Sequence, residues 1–451
     1  MPYALQNEQL GWMQNPGATQ GRRDSRRIIA NVLLCLLFLL DATPIPGASF
    51  GLALVYVVFA LLNRDTILRI PNRLISLCLP FVLLLVIGLP GFYTHDTGDF
   101  LRDAWYFCNP IVSLAFGYLW FERNGHLGDL IDVYSFAGII TSIYSLYTLY
   151  YNWTEVLFVH SLERYRQVVG HGVLMPIAAM GLIFISRSQG FRDSYVLRRR
   201  WLTMLTLCMC FVGIAITFSR TMLLCMLLAY LFSLSRRNLT SRLAFILFAG
   251  IAVVTVLSVF GDSGGDGFVS QFIGKITNIG SEVAVHPYQN YGDIQVNWRG
   301  YEGFRALKTF ESFDLVHQVF GGGFGQLVDL GLQEKLAYIY FIKIPVLHNG
   351  YNYLLVKTGI LGELLFIIFL LRNLVTAWQA WRQPSGSFPA ILGTIMLWTL
   401  VVLILTQGVV MGIYAKDNYQ CISALIGMCA AGTGRLWPSM QKHVQPGTTI
   451  A

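Results

Sequence analysis

The feature that most constrains this chain is a succession of apolar runs, each close to the length that crosses a bilayer. A membrane helix needs about 20 mostly apolar residues. Candidate spans are Ile28–Ala42, Ala48–Leu62, Leu74–Tyr93, Ala104–Phe121, Ile131–Tyr151, Val173–Ser186, Trp201–Phe218, Met222–Leu234, Leu243–Phe260, Gly350–Leu371, Ala390–Gly412 and Cys421–Gly434. They predict an all-α, polytopic membrane protein with about twelve transmembrane helices. Pro44 and Pro46 divide the first two runs in a tight hairpin, and a re-entrant pair is the alternative there. Only 12% of the residues are charged, against roughly 25% in soluble domains, which excludes a soluble globular class.

Charge then orients the spans. Most of the 32 Lys and Arg residues fall in alternate short loops, on the side that also holds Arg22, Arg23, Arg26 and Arg27. Positive short loops mark the cytoplasmic face, so both termini are expected inside. The net charge of +8 is therefore a topology signal and not a nucleic-acid signal. The eight cysteines lie in or beside apolar runs and read as small hydrophobes, with neither a disulfide framework nor a metal site expected.

These signals divide the chain into a cytoplasmic tail over 1–27, nine helices over 28–260, an outer loop over 261–347, three helices over 348–434 and a tail over 435–451. The outer loop is too long for a simple connector. Within it, Trp298, Tyr301, Phe304, Leu307 and Phe310 recur every third residue, which predicts a short amphipathic helix lying on the membrane surface. The run Gly321-Gly322-Gly323-Phe324-Gly325 lacks the Lys-Ser/Thr of a phosphate-binding loop and reads as a flexible turn. Nothing in the first half matches this loop, which argues against a transporter built from two equivalent halves. Asp41 and Lys357 fall near span ends.

A few polar residues stand out of place. His348 lies at the mouth of an apolar helix, within His348-Asn349-Gly350, and supplies an imidazole able to accept a proton. The plain reading is a histidine that caps the helix. Arg220 occupies a turn of a few residues between two apolar runs, where a charge so close to the bilayer marks a function or snorkels to the interface. Arg299 sits on the amphipathic helix. Arg164 and Arg166 precede the pair Gly170 and Gly172 at a helix start. The acidic residues and the remaining histidines show no metal-ligand spacing.

Together these pieces resemble a known pattern. They comprise a loose R-x-x-G-x-G from Arg166 to Gly172, Ser219-Arg220-Thr221 between two helices, W-R-x-x-x-x-x-x-A-L from Trp298 to Leu307, the glycine run, and H-N-G-Y-x-Y-L-x-x-x-T-G-I-L-G from His348 to Gly362. Over roughly residues 164–371 the chain resembles the O-antigen ligase and O-antigen polymerase superfamily of bacterial envelope glycan enzymes, and most of all the lipopolysaccharide O-antigen ligases. The resemblance implies an undecaprenyl-diphosphate-linked glycan as donor, a sugar hydroxyl of lipid A–core as acceptor, no cofactor, and a bacterial inner-membrane enzyme with a periplasmic active site. It implies His348 as base, with Arg220 and Arg299 balancing the leaving diphosphate and Arg164 or Arg166 assisting. The alternatives are a polymerase joining lipid-linked repeat units and, more distantly, a transporter.

Overall fold

The computed structural model describes residues 20–41, 47–62, 71–157, 165, 174–217, 219–234, 288, 291–336, 339–414 and 419–434. The expected span Leu243–Phe260, the start of the long loop and residues 435–451 lie outside them.

The described chain is mostly helical. Helices α1 (Gln20–Asp41), α2 (Ala48–Leu62) and α3 (Asn72–Gly88) come first, and a 3-10 turn over Leu89–Tyr93 extends α3. Next are α4 (Thr97–Asn124), α5 (Leu127–Tyr151), α6 (Trp153–Leu157), α7 (Leu174–Ser188), α8 (Tyr195–Arg198), α9 (Arg200–Ile216) and α10 (Arg220–Ser233). The loop region supplies α11 (Tyr291–Val296), α12 (Trp298–Glu311), α13 (Leu315–Phe320), β1 (Val328–Leu336) and β2 (Ile339–Ile344). The bundle closes with α14 (Gly350–Trp381), α15 (Phe388–Val409) and α16 (Gln420–Gly434).

Among the described residues four elements are long and apolar enough to cross a membrane: Asn72–Tyr93, Leu127–Tyr151, Gly350–Trp381 and Phe388–Val409. Large apolar side chains cover their outward surfaces and those of shorter helices, as at Val55, Leu62, Ile140, Met204, Ile368 and Leu371. A water-facing surface of that kind would be a standing liability, whereas lipid accommodates it.

Lipid provides no hydrophobic force between helices, so packing depends on small residues that let backbones approach. A Cβ on Gly117 of α4 would lie 1.9 Å from the Ala424 carbonyl oxygen of α16, and one on Gly427 would lie 2.2 Å from the Leu114 oxygen. Gly138 and Gly213 do the same for α5 against α7 and α9. Helix ends are set locally. Asp96 caps α4 through the Gly98 amide at 2.8 Å, and Gly125 ends it in the left-handed conformation at φ 62°. Ser387 and Pro389 open α15.

The two ends of the bundle differ. At one end Arg27 forks onto Asp129, and Asp132 accepts from Ser194 Oγ and the Tyr195 and Val196 amides. The opposite end carries α12, α13, the hairpin and His348.

Several details depart from the sequence reading. Helix α1 begins at Gln20, inside the segment expected to be a tail. The mixed loop before His348 forms an antiparallel hairpin. Val328 pairs with Ile344 and Asp329 with Lys343, then the register shifts before Glu334 pairs with Phe341. Helix α12 forms as expected, but its packed face is Gly300, Tyr301, Glu302, Gly303 and Ala306, with Phe304, Leu307 and Phe310 only partly buried. A three-residue spacing falls short of the 3.6-residue turn, so the aromatic stripe winds off the packed side.

Candidate functional site

The site starts at the mouth of α14. Asn349, not His348, is the helix cap: its Oδ1 accepts from the Tyr351 amide at 2.9 Å and the Asn352 amide at 3.2 Å. The imidazole of His348 is therefore released from capping and meets Glu302 of α12, with Nδ1 2.8 Å from Oε2. The same oxygen accepts from the His348 amide at 3.2 Å, and Glu302 Oε1 accepts from Trp298 Nε1 at 2.6 Å.

Glu302 is 4% exposed, whereas about half of the His348 side chain is open. A buried carboxylate facing Nδ1 fixes the ring orientation and assigns the Nδ1 hydrogen, which leaves the Nε2 lone pair directed away from Glu302. This is the orientation a general base requires. The sequence reading missed Glu302. Its signal was the W-R-x-x-E spacing, which puts Trp298 and Glu302 one turn apart on one helix face.

The backbone of His348 is held as well. Its carbonyl accepts from the Met411 amide at 2.6 Å. Met411 has φ 67°, the only positive φ of a non-glycine among the described residues. Such a conformation costs on the order of 1–3 kcal/mol and persists where surrounding structure holds it. The Gln407 amide lies beside Gly350 and bonds the Ile413 amide through Oε1, so the segment after α15 forms a second wall of the helix mouth.

Arg299 follows Trp298 on α12 and lies within electrostatic reach of Tyr419, at the entry to α16. Tyr419 is also within reach of Cys225, five residues beyond Arg220 on α10. Arg220 is the first residue of α10, after Ser219. Tyr165 donates to the Ile216 carbonyl at 2.9 Å, at the end of α9 just before that turn. Arg164 and Arg166, on either side of Tyr165, lie outside the described residues. The structure thus brings Glu302 to His348 and places Arg299 on the same helix as Glu302, while Arg220 stands at the start of a different helix, α10.

The glycine run is the largest correction. Each of its amides is already engaged: Gly321 to His317 O, Gly322 to Val356 O, Gly323 to Lys357 O, Phe324 to Gly88 O and Gly325 to Asp103 Oδ2. Gly321, Gly323 and Gly325 all have positive φ. A Cβ on Gly321 would fall 2.3 Å from the Lys357 carbonyl carbon. This segment is a clasp, not a flexible turn or an anion cradle. It seats Phe324, fully buried, against Phe107 and Phe100.

Lys357, near the start of α14, is likewise fully engaged. It is 1% exposed, bonds Asp103 Oδ2 at 2.5 Å and also donates to the Gln326 carbonyl. Tyr353 donates to the other Asp103 oxygen at 2.7 Å. A cavity of about 320 Å³ borders the clasp, lined by Thr94, His95, Asp96, Asp99, Gly325, Gln326, Leu327 and Lys343. Its His95, Asp96 and Asp99 are bonded to Gly322 O, to backbone amides and to Arg102 respectively. Among the described residues no three His, Cys, Asp or Glu side chains converge as a metal-ligating group.

No protein-family model matches the chain, and no curated protein matches it.

Proposed function

We propose that the chain is a membrane glycosyltransferase that moves a glycan from a polyprenyl diphosphate carrier to a sugar hydroxyl, in the manner of an O-antigen ligase. The observation that carries this reading is the His348–Glu302 pair: a half-open imidazole with its Nδ1 side held by a buried carboxylate, at the mouth of a membrane helix. The reading places this end of the bundle on the periplasmic side of a bacterial inner membrane. The long loop then lies outside, and the spans number about twelve.

The chemistry follows from the residues. His348 Nε2 takes the proton of the acceptor hydroxyl as its oxygen attacks the anomeric carbon. The bond from that carbon to the diphosphate oxygen breaks, and its electron pair leaves with the diphosphate. Arg299 and Arg220 meet the developing negative charge with planar, multidentate N–H groups, a role to which a lysine point charge is less suited. Glu302 stabilises the imidazolium formed during transfer and keeps the ring aimed. The bond to diphosphate already stores the driving force, so no nucleotide is consumed. Attack opposite the leaving group inverts the anomeric centre.

The test is reconstitution of the purified chain with undecaprenyl-diphosphate-linked glycan and lipid A–core, without ATP or added metal. Glycan on lipid A–core with release of the diphosphate carrier is the expected product. Elongation of one lipid-linked repeat by another would assign the polymerase reaction instead. Absence of both products with folded protein would overturn the reading. His348→Ala is expected to lower the rate by about 10²–10⁴-fold while the protein stays folded.

A further inference from the structure

Helix α14 carries an ionisable group that the proposed reaction does not use. Glu363 lies thirteen residues beyond Gly350, past a break in the helical backbone at Gly359 (φ 66°, ψ −167°), and within the apolar span Gly350–Trp381. Its Oε1 is buried without a hydrogen-bond partner, and the Tyr414 hydroxyl is buried and unpartnered as well. Glu363 is within electrostatic reach of both Tyr414 and Tyr351. The Phe366 ring, nearly one turn further along α14, touches both tyrosine rings, at 6.0 Å and 6.1 Å between centroids.

Among the described residues no cation is paired with this carboxyl. On α14 the nearest in sequence are Lys357, which lies across the break at Gly359 and is committed to Asp103, and Arg372, about 13 Å away along the axis. Helix α15 contributes no Asp, Glu, Lys, Arg or His, and α3 contributes only Arg73, in its first turn at the other end. Helix α16 faces the bundle with Cys421 and Cys429, α4 with Arg102 and Asp103, which face each other, α13 with His317, the 3-10 turn Gly412–Tyr414 with Tyr414, and α12 carries Arg299, Arg305 and Lys308. An isolated carboxylate in such surroundings costs far more than a neutral acid. One side of the group is open to lipid. Ile360 and Ile367 flank it on the helix surface and are 46% and 42% exposed, whereas Gly359 and Phe366 on its other side are buried.

We infer that Glu363 is a lipid-accessible acid site within the membrane, holding an exchangeable proton and reacting with apolar electrophiles that require that proton. The probe class is a hydrophobic carbodiimide. The carboxyl proton moves to one carbodiimide nitrogen and the carboxyl oxygen adds to the central carbon. An oxygen-to-nitrogen acyl shift then gives a stable N-acylurea, and nothing leaves. This inference is independent of the glycosyl-transfer reading.

The experiment treats the full chain in lipid vesicles with dicyclohexylcarbodiimide and maps adducts by peptide mass spectrometry. An adduct at Glu363, lost in Glu363→Gln, is expected. A charged, water-soluble carbodiimide is expected to spare Glu363 while labelling exposed carboxylates such as Asp193 and Asp314, whose side chains are 78% and 66% exposed. Either of two results overturns the inference: no adduct at Glu363 in the wild-type chain, or labelling of Glu363 by the water-soluble reagent as readily as Asp193.

Discussion

Glu302 and His348 show how one side chain changes the meaning of another. Alone, an imidazole at a helix mouth is a capping group or an interfacial one. With Asn349 capping and Glu302 on Nδ1, the ring is a directed acceptor. Glu302→Gln keeps the size of the side chain but removes the charge that stabilises an imidazolium. It is expected to slow transfer on the order of 10²-fold or more, with smaller effect on donor binding. Steady-state kinetics that separate kcat from KM check this, and an unchanged kcat would remove Glu302 from the mechanism.

Two elements hold that pair in place, the start of α14 and the glycine clasp. Asn349→Ala leaves the Tyr351 and Asn352 amides without their acceptor and should cost about 1 kcal/mol, read as a lower midpoint in detergent unfolding. The clasp offers a cleaner comparison. Gly321 and Gly190 have nearly the same φ, 79° and 81°, but an added Cβ meets the Lys357 backbone at Gly321 and nothing within 4 Å at Gly190. Alanine at Gly190 should therefore cost only the strain of a positive φ, about 1 kcal/mol, while alanine at Gly321 adds a backbone collision and costs several kcal/mol. Equal losses at both positions would show that the clasp is not tightly seated.

Across the whole molecule, the Asp103–Lys357 pair ties the clasp to the bundle. Asp103 of α4 accepts from Lys357 and Tyr353 of α14 and from the Gly325 amide, so one carboxylate joins α4 to two segments distant in sequence. Burying two charges is costly, and removing Lys357 leaves Asp103 with only the more distant Arg102 Nε, at 3.5 Å, as a counter-charge. Lys357→Met should lower stability by roughly 2–4 kcal/mol, and Asp103→Leu added to it should restore part of the loss. Thermal unfolding of the single and double variants in the same detergent measures this. A double variant no more stable than the single would mean that the pair acts mainly through its bonds to Tyr353 and Gly325.

The sequence by itself determined that the chain is mostly helical and apolar, and where the described apolar helices lie. Burial in lipid requires long runs of apolar residues, and that requirement is written locally. It also picked out His348, Arg220 and Arg299, because charged and titratable groups beside a bilayer are costly enough to be conspicuous. Only the tertiary structure decided what those groups meet. Glu302 looked like one acid on a polar helix until it was packed against a histidine 46 residues away. The glycine run looked mobile until its amides found carbonyls on three helices. Lys357 and Glu363 lie on one helix, yet Lys357 has a carboxylate partner and Glu363 has none. Apolar burial can be read along the chain because each residue meets it alone. Hydrogen-bond pairing depends on a second residue brought close by folding, and no local pattern encodes that distance.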